Sequence, residues 1–219
     1  MGNMEIVSNI KKNKNKFMII SMFMMIFTLS CAVKNPNPKN TSTTAIEKSD
    51  IVNVDIEKVI EEINQEVKKT DKDKTLKKKV KTIKDTGKEN TKGGRSEYTS
   101  YNNKNKELRK FIVKHFAETG RLIQEFYIKN DRIYYLYQKK MTYNRPVGWT
   151  KAKAKESGDT EYFDLKKSKN EEAKYYFDFD ENLVRFISED GSINDNQEIL
   201  NVIKNDLKDD YLMNIQNSK

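Results

Sequence analysis

Cysteine, histidine and tryptophan each occur only once in this chain of 219. A single cysteine excludes a disulfide framework, a cysteine-rich zinc site and an iron–sulfur cluster. A single histidine excludes any mechanism that needs two imidazoles. Hydrophobic residues make up only 36% of the chain, which suits one or two small domains and leaves too little for a large enzyme core. Long apolar runs are missing too. The longest, from Phe17 to Leu29, covers 13 residues and is broken by Ser21 and Thr28, against about 20 for a membrane-spanning helix. No Gly-x-Ser-x-Gly, phosphate-binding loop or His-Glu-x-x-His motif occurs.

The N-terminus carries the clearest pattern. Lysines at 11, 12, 14 and 16 precede the apolar run, and Ser30 and Cys31 close it before the polar, proline-containing stretch 34–39. A basic head, a short apolar stretch and small residues at its exit predict an export signal. Cys31 has nothing to pack against there, although lone cysteines are usually buried. The pattern over residues 11–31 resembles the signal of bacterial lipoproteins, in the relaxed form, with Ser before Cys, of spirochaetes and other AT-rich bacteria. It departs from the family preference for Leu three residues before the cysteine, where this chain has Thr28. The resemblance implies cleavage before Cys31, acylation of Cys31, and a membrane anchor, with the outer membrane as the expected location. Residues 1–30 then form the signal, 31–50 a flexible tether and 51–219 a single α+β domain.

Export redraws the charge. The chain has 42 basic and 33 acidic residues, and residues 1–30 hold four lysines and one glutamate, which leaves 38 and 32. The segment from Lys68 to Lys84 alone has nine lysines against Asp71 and Asp73. The positive excess is local.

Ile56, Val59, Ile60, Ile63 and Val67 recur at helical spacing and predict an amphipathic helix within 51–70. In 75–83, Leu76, Val80 and Ile83 fit a helix, whereas Leu76, Lys78, Val80 and Thr82 fit one face of a strand; the strand is preferred. Beyond Gly93-Gly94 the period becomes two, with turn residues at 102–106, 119–120, 130–131 and 180–182. Such runs predict antiparallel hairpins, five to seven strands between about Ser96 and Ser188 within a largely sheet-forming region 75–190. Asp195 to Glu198 reads as a capping box opening a C-terminal helix over 195–213, with Ile199, Leu200, Ile203, Leu207 and Tyr211 on its apolar face.

The hairpins look like copies of one unit. Residues 126–136 align with 176–186, and 98–111 form a looser third copy, so the predicted architecture is a meander of repeated hairpins. This pattern resembles the aromatic hairpin repeats of bacterial envelope lipoproteins and, more distantly, MORN-like repeats. The resemblance implies a fold and no activity.

Three candidate sites remain. Lys77, Lys78, Lys79 and Lys81 can hold anionic headgroups, acidic glycans or cell-wall polymers, the bland alternative being a solvated face; export argues against nucleic acid. Tyr143, Arg145 and Trp149 share a loop and are residue types that serve as recognition anchors, or else the loop plugs the end of the meander. His115 shares a strand face with Phe111 and Val113, a setting more often structural than catalytic. No catalytic residue, metal or cofactor is assigned. The sequence therefore predicts a non-enzymatic envelope protein that binds or scaffolds an envelope or host component, against an exported enzyme or inhibitor with a dispersed site. A concave aromatic sheet would favour the first, and a deep pocket joining His115 to carboxylates the second.

Overall fold

The computed structural model describes residues 55–84 and 94–219; the expected export signal, Cys31 and the whole of the expected tether lie outside them. Helix α1 (Ile56–Lys72) is capped by Asp55, whose carboxylate accepts from the Lys58 amide at 3.3 Å, and it ends on Lys69 and Lys72, which suit the negative end of the helix dipole. The chain then turns at Asp73, whose Oδ1 accepts from the Thr75 amide at 2.9 Å.

Eight strands follow: β1 (Lys77–Lys84), β2 (Arg95–Asn102), β3 (Leu108–Ala117), β4 (Gly120–Lys129), β5 (Arg132–Thr142), β6 (Lys169–Phe177), β7 (Leu183–Ile187) and β8 (Ile193–Asn194). They form one antiparallel sheet in strict chain order. Between β5 and β6 the chain makes an excursion carrying helix α2 (Lys151–Glu156), and helix α3 (Gln197–Ser218) closes the chain. The α+β class, the meander and both flanking helices agree with the sequence expectation. Six strands, β2 to β7, fill 95–187, within the five to seven expected there, and β1 is the strand preferred for 75–83; the two-residue β8 extends the sheet beyond the expected end.

Turn chemistry explains why the strands pair with their neighbours. Asn130 and Asp131 both take positive φ, 53° and 61°, in the two-residue turn between β4 and β5. Loops 103–107, 178–182 and 188–192 share one construction. In each, the first and last residues are joined by a backbone hydrogen bond of 2.9–3.0 Å, and the fourth, Lys106, Glu181 or Gly191, adopts positive φ. Gly120 opens β4 where a Cβ would collide with the Met141 carbonyl, so the close approach of β5 requires glycine.

Three bulges recur with the hairpins. Arg109, Tyr134 and Val184 are each left without a cross-strand partner just after the turn. They lie 25 and 50 residues apart, which marks hairpins β2–β3, β4–β5 and β6–β7 as equivalent units. The structure shifts the first-strand alignment by one residue: Tyr175 and Tyr176 occupy the places of Phe126 and Tyr127, facing Phe186 and Arg185 as those face Leu136 and Tyr135. The connection at 178–182 is one residue longer than that at 129–132, and a sequence alignment without gaps cannot absorb it.

Both sheet faces are covered. Phe111, Val113, Phe126, Ile128, Leu136, Tyr175 and Leu183 pack with Leu200 and Leu207 of α3. On the other face Tyr127, Tyr134, Tyr135 and Tyr176 pack with Ile63 of α1, flanked by Val59, Ile60 and Val67. Aromatic residues alternate between two helices, and among the described residues no open aromatic concavity is left on either face. The α3 cap is Asn196, whose Oδ1 accepts from the amides of Glu198 and Ile199, in place of the expected Asp195. Asp195 is drawn away by Arg185.

Candidate functional site: a lysine-lined sheet edge and two buried polar clusters

β1 settles the ambiguity of residues 75–83 in favour of a strand, and it stands at the outer edge of the sheet with β2 as its neighbour. Lys77, Lys78 and Lys79 are exposed on it, and none has an ion-pair partner among the described residues. Lys81 departs from the expectation that all four lysines face water. It is half-buried, and its Nζ donates to the Asn217 carbonyl at 3.0 Å, near the end of α3. The reason is register: Lys81 lies opposite Tyr98 on the α3 face, where the last turn of the helix offers unpaired carbonyls.

The loop of Tyr143, Arg145 and Trp149 spends its polar groups internally. The Trp149 indole donates to Asp159 Oδ2 at 3.2 Å, and the Arg145 guanidinium lies 3.3 Å from the same oxygen. Tyr143 stacks edge-on against Phe163 at 5.3 Å. Arg145, the Trp149 indole and the Glu161 amide together hold the Asp159 carboxyl below its ordinary range, the backbone hydrogen bond contributing most. The arrangement fastens the excursion upon itself.

Sequence reasoning placed His115 correctly beside Phe111 and Val113 and missed its company. His115 Nδ1 lies 2.8 Å from Ser96 Oγ, and Asp210 and the buried Asn214 of α3 approach the same ring. Gln124 donates to Asp210 Oδ2 at 2.7 Å and Asn214 donates to Oδ1 at 3.2 Å. Burial lowers the His115 pKa and raises that of Asp210, in each case against the attraction between the two. Histidine and carboxylate are thus together, but α3 roofs them and no cleft opens there. The partner lies 95 residues away in sequence, so no local spacing could have signalled it.

A second cluster ties α1 to the sheet. Lys110 Nζ donates to Glu125 and to Tyr127 OH at 2.7 Å each and to Asp71 at 2.8 Å. Burial disfavours the ammonium, yet these bonds outweigh it and hold the Lys110 pKa above its ordinary value. Arg185 makes a two-pronged contact with Asp195, at 2.8 and 2.7 Å, and donates to Glu57 at 2.7 Å, linking the starts of α1 and α3 to β7. A shallow cleft of about 330 Å³ lies between α1 and the sheet, lined by Glu62, Glu66, Lys69, Lys129, Tyr134 and Phe179. Three of its charges already pair, Glu66 with Lys129 and Lys69, and Glu66 also with Arg109.

Among the described residues no group of acidic, histidine or cysteine side chains is arranged to hold a metal ion, and no helix is long and apolar enough to cross a membrane. No family model, curated protein or solved structure matches the chain.

Proposed function

We propose that this chain is a lipid-anchored cell-envelope protein of the binding or scaffolding class, held on the membrane through Cys31. The observation that carries the reading is the position of its only cysteine, at the exit of a 13-residue apolar run with four lysines before it. Two or three acyl chains there would anchor the protein firmly, since each buried CH2 contributes about 0.8 kcal/mol. A tether of some twenty residues would then present the helix–sheet–helix domain away from the bilayer. Within that domain the internally paired clusters serve cohesion, whereas Lys77, Lys78 and Lys79 are three consecutive exposed lysines without an ion-pair partner among the described residues. Binding therefore belongs at the sheet edge, with an envelope or host component as the partner and no part for nucleic acid.

Replacing the anchor tests this directly. Cys31→Ser should abolish metabolic labelling with palmitate and move the protein from the membrane pellet to the soluble fraction. Retention of the variant on membranes as firmly as the parent would refute lipid anchoring.

A further inference from the structure

We propose that β1 is an acceptor edge for an extended acidic polypeptide, which adds to the sheet as a ninth strand. The proposal deepens the binding-module reading above and does not depend on how the protein is anchored. The two ends of the sheet differ sharply. β8 is two residues long, too short to template a strand, whereas β1 has eight residues in uninterrupted register with β2, from Lys77 opposite Asn102 to Lys84 opposite Arg95. Sheets commonly blunt an edge with a bulge, a proline or lysines, and β1 relies on lysines alone, which repel a like strand and attract an acidic one. Each of the three repeat hairpins has a bulge, but the β1–β2 ladder has none and β1 has no proline.

The side chains say which strand fits. β1 carries five lysines, and Lys77, Lys78, Lys79 and Lys84 have no ion-pair partner among the described residues. Val80 and Ile83 are 49% and 37% exposed, so an apolar contact is on offer on each face of the edge. A second copy of β1 is a poor occupant. With Val80 opposite Val80, Lys79 faces Lys81, and one register further on Lys77 faces Lys84; like charges directly opposite are destabilising. An acidic strand meets a lysine at those positions instead. Main-chain hydrogen bonds would supply affinity, and the alternating lysines would select for charge.

The test uses the full chain in detergent and a labelled octapeptide alternating Glu and Thr. Three comparators are a Gln–Thr octapeptide, the acidic peptide N-methylated at every amide, and a sulfated glycan. The acidic peptide should bind, with affinity falling as salt rises. It should slow hydrogen exchange at amides within 77–84. N-methylation, which removes the donors and leaves the charge, should weaken binding at least about tenfold. Lys77→Gln, Lys78→Gln and Lys79→Gln together should weaken it by about tenfold and flatten the salt dependence. Lys81 is left in place because it bonds Asn217, and circular dichroism checks that the triple variant keeps its sheet. Equal binding of the N-methylated peptide would overturn strand addition in favour of simple charge attraction. Failure of the acidic peptide to bind would overturn it as well. Glycan binding in that case would leave the binding-module reading standing.

Discussion

The two faces of the sheet are built from the same strands and held by different chemistry. On the α3 face, phenylalanine and leucine meet the helix in a dry layer around the fully buried Phe111, Phe126 and Leu136, beside one polar cluster in which Gln124 and Asn214 bond Asp210. On the α1 face four tyrosines do the packing, and their hydroxyls reach the helix and the charged residues around it: Tyr134 bonds Thr70 at 3.0 Å, and Tyr127 bonds Asp71 at 3.0 Å. The bulges make this second face possible. Where the ladder skips Tyr134, the consecutive Tyr134 and Tyr135 both join the α1 cluster. One face is fixed mainly by volume and the other mainly by directed bonds, so side-chain truncation and hydroxyl removal should separate them.

The largest effect is expected at Phe126, buried among Phe111 and Tyr211 with ring centroids 6.2 and 5.1 Å away. Phe126→Ala should cost about 3–5 kcal/mol in denaturant unfolding, because the lost transfer energy is joined by an unfilled cavity. A loss below about 1 kcal/mol would show that the α3 face is not the dry core described. On the α1 face, Tyr134→Phe keeps the ring and removes one hydroxyl, leaving the buried Thr70 without its partner. The expected cost is about 1–2 kcal/mol. A neutral result would reduce that face to packing alone.

The smallest effect has the opposite sign. Asp210 is half-buried and desolvation holds its carboxyl above its ordinary pKa, so its charge is a penalty at neutral pH. Gln124 Oε1 has no partner nearby, and an amide at 210 can donate to it. Asp210→Asn should therefore stabilise the protein by about 1 kcal/mol at pH 7. The advantage should shrink on acidification. In the parent, the raised Asp210 gains stability as pH falls through its folded pKa, whereas the lowered His115 loses it below 6.5, its ordinary value. The variant retains only the loss. A variant whose advantage grows towards pH 5 would contradict this account of the cluster.

Local order was readable from the sequence, and distant partnership was not. The spacing of Val59, Ile60, Ile63 and Val67 located α1, and alternation with Asn130-Asp131 located β4 and β5, because helix and hairpin are written in residues a few places apart. β1 was ambiguous because lysines satisfy either period. β8 is too short to have a period. The Asp195 cap failed for a different reason: Asp and Asn stand side by side, and Arg185, ten residues back, decides which of them is free to cap. The recognition loop shows the same limit, since Arg145 and Trp149 look available until Asp159 folds back onto both. At the lysine run, composition gave the charge, and only the pairing with β2 revealed an edge.

The strict chain order of the sheet has a kinetic consequence. Every strand pairs with the one made just before it, so the meander can grow by zipping, each closure spanning a short turn except for the ten residues between β1 and β2 and the longer excursion between β5 and β6. Nearest-neighbour topologies of this kind lower contact order and speed folding relative to sheets with crossovers. The far-reaching closures belong to the two flanking helices: Lys81 must find Asn217 of α3 across 136 residues, and Glu57 of α1 must find Arg185 across 128. That bond cannot form until β7 is in place. Helix α1, first in the chain, is thus among the last elements to be fastened, and refolding should show an early sheet signal followed by a later step that Glu57→Gln slows.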